Sequence, residues 1–177
     1  MKAKSKTGRG GFTLIEILAV IAIVGILAAI IVPVAGGAKE TALKRRAAAE
    51  IQSIKVAVMQ FYDDHRYMPW PDEVKVGDDE WTTGAADQAP VMELLTGENP
   101  MQKLYLQVPE KSRQGAALTF YDPWGQAYRI GMDRNLDGAV LVSGTGEWDG
   151  QLVTEKVLVY SPGPPGKNKP LKSFDVQ

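Results

Sequence analysis

Gly8-Arg9-Gly10-Gly11-Phe12-Thr13-Leu14-Ile15-Glu16 opens an apolar run that lasts to Ala38. Three features coincide in it: a basic leader ending in glycines, the start of a long hydrophobic helix, and a single carboxylate inside that helix. From Phe12 to Ala38 the only polar side chains are Thr13 and Glu16. An isolated carboxylate in hydrocarbon costs ~2.5–3.5 kcal/mol on insertion scales and more by other estimates, so Glu16 calls for a partner or a function.

Phe12 to Val34 would extend roughly 35 Å as a helix at ~1.5 Å per residue, enough for a hydrocarbon core of ~30 Å. A cleavable secretory signal has a shorter apolar core with the small residues after it. Here Gly8, Gly10 and Gly11 come before the run, so any cleavage would keep the helix. Lys2, Lys4, Lys6 and Arg9 precede Phe12 without a single acid, which sets that end in the cytoplasm and the body on the far side. Hydropathy alone reads equally well as an uncleaved anchor with an incidental Glu16. Pro33 removes a backbone donor inside the run, and a kink near Ala29–Pro33 is expected.

Charge and composition narrow the rest. The 177-residue chain carries a formal −1, and without the four leader cations the remainder is −5. Setting Glu16 aside as well leaves 16 basic against 20 acidic groups, or −4, in the body. A mildly acidic body argues against nucleic acid as a partner, because phosphate binding needs a basic face. No cysteine is present, which removes disulfide, thiol-nucleophile and zinc-thiolate chemistry, and the single histidine, His65, removes a multi-histidine metal site.

Gly10-Gly11-Phe12-Thr13-Leu14-Ile15-Glu16 followed by an apolar helix resembles the class III signal of type IV pilins and type II secretion pseudopilins. The resemblance implies cleavage between Gly11 and Phe12 by a membrane prepilin peptidase and N-methylation of Phe12. It also implies that Glu16 of one subunit neutralises the Phe12 ammonium of a neighbour, in low dielectric where paired charges are tolerated and lone ones are not. Ala19, Ala22, Gly25, Ala28 and Ala29 would allow close helix approach, or serve helix propensity alone.

Beyond the run, Ala47, Ile51, Ile54, Val58 and Phe61 recur at spacings of four, three, four and three, one face of an amphipathic helix over Lys39–Tyr62. Glu50, Gln52, Lys55 and Gln60 lie mostly off that face. Asp63-Asp64-His65 invites a metal reading, but adjacent residues at a helix end point apart, and a polar helix terminus is preferred. Trp70 to Pro100 is rich in Pro, Gly, Asp and Thr, with one short helical candidate at Val91–Leu95, and Leu104–Val108 reads as a weak strand or extended segment.

Asp122-Pro123-Trp124-Gly125-Gln126-Ala127-Tyr128 resembles the segment leading into the sheet of major pseudopilins: a turn, an apolar plug at Trp124, and a strand from Tyr128. Strands read as Ala127–Met132, Ala139–Ser143 and Val157–Tyr160, the first two joined by Asp133-Arg134-Asn135-Leu136-Asp137-Gly138. Asp133, Asn135 and Asp137 at alternate positions before a glycine match half of a calcium loop, with Gly144 where a bidentate glutamate belongs and Glu147 or Asp149 as substitutes if the chain folds back. A hairpin turn closed by Asp-Gly explains the same residues and is preferred. The terminal stretch from Ser161-Pro162-Gly163-Pro164-Pro165-Gly166 to Asp175 resembles the calcium-binding loop of major pseudopilins, with prolines and Lys167, Lys169 and Lys172 replacing acids. Asp175 joins Asp133, Asn135 and Asp137 as a candidate ligand, and the cofactor expectation is none, or Ca2+ at these residues.

The fold class is α+β, with a long N-terminal helix, half membrane-spanning and half amphipathic, packed on a small C-terminal antiparallel sheet. Residues 1–11 form the leader, 12–34 the transmembrane and assembly half of the helix, and 35–62 its amphipathic half. Residues 63–117 form an αβ loop region and 118–177 the sheet and its loops. The resemblance, strongest to the major pseudopilin, implies a subunit of a type II secretion pseudopilus, single-pass in the inner membrane with a periplasmic body. Its implied partners are further copies of itself in a helical homopolymer, prepilin peptidase, the inner-membrane assembly platform and minor pseudopilins. A type IV or competence pilin for adhesion, motility or DNA uptake is the alternative. A membrane-anchored enzyme ranks last, since Asp133 and Asp137 are the only paired carboxylates on offer and no nucleophile set accompanies them.

Overall fold

The computed structural model describes residues 12–71, 79–82, 84–110, 118–146, 148–166 and 170–174, with side chains of residues 31–36 set apart. The chain divides into two compact units, one ending at Ala42 and one beginning at Leu43. Helix α1, Leu14–His65, contributes to both. Pro33 and the kink expected there fall within the set-apart stretch.

In the second unit the predicted stripe is the buried one. Ala47, Ile51, Ile54, Val58 and Phe61 are at most 2% exposed, and Ala57 joins them. The helix ends at His65, and Arg66 takes a left-handed φ of 65°, its amide donating to the Tyr62 carbonyl at 2.7 Å. That backbone reversal turns the chain out of the helix, as C-terminal left-handed residues do. Tyr67 and Met68 then return to the core.

Four strands, β1 (Glu80–Trp81), β2 (Arg129–Met132), β5 (Val157–Ser161) and β6 (Leu171–Lys172), form an antiparallel sheet in the order β1-β2-β5-β6. Strands β3 (Val140–Leu141) and β4 (Leu152–Val153) pair separately. Every residue of β5 is buried, because side chains alternate between two cores. Val157 and Val159 join the α1 stripe, Phe120, Tyr128 and Ile130. Leu158 and Tyr160 join Trp81, Val140, Val142, Val153 and Phe174 on the other side. The strand's unbroken apolar run is thus the sequence mark of a strand covered on both faces.

Four expectations are corrected. The Asp133–Gly138 turn does not join a hairpin: β2 pairs with β1 and β5, and β3 with β4. Of the two readings of Leu104–Val108, the strand is the one corrected: the segment pairs with no strand, and the Tyr105 and Leu106 amides both donate to the single carbonyl of Leu95, each at 2.9 Å. The short helix is α2, Ala85–Leu95, longer than the Val91–Leu95 candidate. Its Gln88, fully buried, receives the Phe120 amide at 2.6 Å and donates to the Tyr128 carbonyl at 2.6 Å, which fixes α2 against the start of the sheet. Trp124 is only half-buried and belongs to neither core; Tyr128, fully buried, fills the place assigned to it.

Glu50 also departs from its expected place off the apolar face. It is 9% exposed, accepts the Tyr128 hydroxyl at 2.6 Å and pairs with Arg46 at 2.9 Å. Burial of Tyr128, followed by its bond to Glu50, raises the phenol pKa well above its ordinary value.

Candidate assembly and processing segment

The first helical turn of α1 is built by Thr13 and Glu16. The Thr13 carbonyl accepts the amides of Glu16 at 3.1 Å and Ile17 at 3.3 Å, so Thr13 stands at the N-cap with Glu16 three residues on. Glu16 Oε2 accepts both the Thr13 backbone amide at 2.7 Å and the Thr13 hydroxyl at 2.8 Å, while the Glu16 amide approaches Thr13 Oγ1 at 3.3 Å. This reciprocal arrangement is a capping box. It satisfies two donors that a helix start leaves without partners and sets a negative charge at the positive end of the helix dipole.

Glu16 therefore has a partner within its own chain. The carboxylate is held one residue from Phe12, on which the processing expectation falls; Gly11 lies outside the described residues. Thr13 was visible in the sequence as a polar residue, and the signal for its role was the Thr-x-x-Glu spacing before an apolar run. Phe12 is 85% exposed, and from Phe12 to Ile30 every Ile, Leu and Val side chain is more than half exposed. An apolar surface of that extent marks a protein or lipid interface. Among the described residues no helix is long and apolar enough to cross a membrane; the described side chains of this stretch stop at Ile30.

The candidate metal ligands sit in closed turns. Asp133, fully buried, accepts the Asp137 amide at 3.2 Å on Oδ1 and the Gly138 amide at 2.9 Å on Oδ2. Asn135 Nδ2 donates to Asp137 Oδ2 at 2.9 Å, Asn135 Oδ1 accepts the Asp137 amide at 2.9 Å, and Asp137 Oδ1 accepts the Ala139 amide at 2.9 Å. Leu136 and Gly138, at φ 62° and 92°, complete the reversal. Asp149 turns its Oδ1 to Thr145 and the Gly146 amide, and the Thr145 amide bond first among these lowers its carboxyl pKa. Glu147 and Asp175 lie outside the described residues. Among the described residues no group of three or more His, Cys, Asp or Glu is arranged to hold a metal ion. At the helix end, Asp64 bonds Lys103 and the Tyr105 hydroxyl, and the His65 ring stacks on Phe61 at 4.2 Å; the two diverge as adjacent helical residues do.

Residues 6–32 match the family described as Prokaryotic N-terminal methylation motif. The segment that carries the Thr13–Glu16 box is the segment matched. The match supports the resemblance of this segment to type IV pilins and pseudopilins.

The chain is similar to the type II secretion system core protein G of Escherichia coli (strain K12), 43% identical over 68 residues, or 38% of this chain and 46% of that protein. The same-named protein of Aeromonas hydrophila is 41% identical over 63 residues, covering 35% and 44%. That of Dickeya chrysanthemi is 28% identical over 120 residues, covering 68% and 66%. The chain thus spans less than half the length of the first two relatives it matches. No solved structure gives a significant match.

Proposed function

We propose that the chain is a structural, non-enzymatic subunit of a type II secretion pseudopilus. Prepilin peptidase cuts between Gly11 and Phe12 and N-methylates Phe12. The mature subunit stands in the inner membrane, its amino terminus toward the cytoplasm and its sheet in the periplasm. The assembly platform draws it into a helical polymer of identical copies with minor pseudopilins, whose growth drives protein export. The observation that carries this reading is the Thr13–Glu16 box at the head of an exposed apolar helix inside the methylation motif. A buried ammonium at a neighbour's Phe12 would gain from a carboxylate held so close to the processing point.

Mass spectrometry of the protein from cells with active prepilin peptidase tests it. The expected mature chain begins at methylated Phe12. A chain that keeps Met1 or the leader in such cells would overturn the proposal.

A further inference from the structure

The likeness of the terminal loop to a calcium-binding loop raises the question of what closes it here. Calcium takes six to eight oxygen ligands at about 2.3–2.6 Å, several of them carboxylate. The loop after β5 instead runs Ser161-Pro162-Gly163-Pro164-Pro165-Gly166, with no acid. Its contacts are of a different kind. Ser161, fully buried, donates its hydroxyl to Asp122 Oδ2 at 2.6 Å and accepts the Gly163 amide at 3.1 Å. Asp122, 4% exposed, accepts the Trp124 amide at 2.9 Å and the Gln126 amide at 2.8 Å on Oδ1. Both carboxylate oxygens thus have donors, in a site closed to solvent.

The positive charge in this region belongs to the protein itself. Lys172 Nζ lies 4.8 Å from the Trp148 ring centre and 5.3 Å from that of Phe174, within cation–π range of both. Ser173 fastens the same segment to β5, its hydroxyl accepting the Val159 amide at 2.8 Å and its amide donating to the Val159 carbonyl at 2.9 Å. Among the described residues, a divalent cation brought here would meet an ammonium and one carboxylate, Asp122, whose two oxygens are both engaged.

We infer that the terminal loop is closed by a Ser161–Asp122 clasp and by the Lys172 ammonium on Trp148 and Phe174, in place of a calcium ion. The folded domain is therefore independent of calcium.

The test uses the full chain in detergent micelles. Thermal unfolding in millimolar calcium and in EDTA is expected to give midpoints within about 1 °C, because an ion held at about a hundred times its Kd would raise the midpoint by several degrees. Calorimetric titration with calcium is expected to show no saturable heat. A saturable heat, or a rise of several degrees with calcium, overturns the inference. Ser161→Ala is expected to lower the midpoint by several degrees, equally in both buffers; an unchanged midpoint overturns the clasp. If that variant does not fold, hydrogen exchange at the Gly163 amide of the unaltered chain decides. Equal protection with and without calcium supports the clasp, and protection only with calcium refutes it.

Discussion

The Tyr128 hydroxyl donates to Glu50 Oε2 at 2.6 Å, so one buried hydrogen bond joins the amphipathic part of α1 to the start of β2. Glu50 keeps a second partner in Arg46 Nε, at 2.9 Å on its other carboxylate oxygen. Hydrogen bonds to charged groups contribute about 1.5–3 kcal/mol, and losing one leaves a desolvated carboxylate short of a donor. Tyr128→Phe is therefore expected to lower unfolding stability by about 2 kcal/mol, read from denaturant melts of the full chain in detergent. A change within error would show that Arg46 alone satisfies Glu50.

Glu16 caps its own helix, and the function proposed above gives it a second role, as a charge for a neighbouring subunit, that substitution separates from the first. Glutamine at this position still completes a capping box but carries no charge. Glu16→Ala is expected to insert and be processed yet fail to assemble, and Glu16→Gln to behave the same way. Thr13→Ala removes the cap, costing about 1 kcal/mol of helix stability, and is expected to assemble at reduced yield. Normal filaments from Glu16→Gln, scored by shearing and immunoblot, would assign assembly to the cap and remove the charge pair.

Gly131 in β2 lies under the indole of Trp81. A methyl group there would meet Trp81 Cε2 at 2.4 Å, and that ring is held by its Nε1 donating to the Leu141 carbonyl at 2.8 Å. The ring cannot move without losing its bond. Gly131→Ala is expected to cost about 1–3 kcal/mol, as overpacked cores do, with an altered tryptophan emission spectrum. An unshifted melt with native fluorescence would show that the sheet relaxes at no cost.

The pH dependence has two limbs. Burial, then the bond to Asp64, pushes the Tyr105 hydroxyl up to about 12, and burial raises Tyr128 too. Each folded value lies above the unfolded one of ~10, so the stability they contribute is complete below about pH 10 and is lost as pH rises, for Tyr105 through about 12. At the acid end, the Lys103 bond and then the Tyr105 bond hold Asp64 below the usual carboxylate range. That contribution is present above the unfolded value and is lost as pH falls through the lowered one. Ultraviolet titration is expected to show some tyrosines ionising only with unfolding; all tyrosines ionising together near pH 10 in a folded chain would contradict the geometry.

What the sequence made legible is what periodicity and spacing encode. The α1 stripe from Ala47 to Phe61 was readable because a 3.6-residue repeat reports one buried face, and the strand at Val157–Tyr160 because an apolar run reports burial on both sides. The pairing of that strand was not readable. An Asp-Gly turn looks like a hairpin wherever it occurs, and only the fold reveals that β2 turns to β1, from a stretch read as loop, and to β5. Glu50 was misplaced for a related reason: a carboxylate near a helix's apolar face looks exposed until a distant tyrosine meets it. At the candidate site, Glu16 stood out by its charge, while Thr13, named as polar, was given no role because its Thr-x-x-Glu spacing was not read as a capping box.

Strand β3 has one further consequence. Its outward amide at Leu141 donates to Asp79 Oδ2 at 2.7 Å, and its carbonyl there receives the Trp81 indole. Open strand edges recruit other strands, and a subunit crowded among identical copies is the molecule most exposed to that hazard. With the backbone groups of Leu141 already engaged, copies that meet side by side find no free rung on this strand at that position.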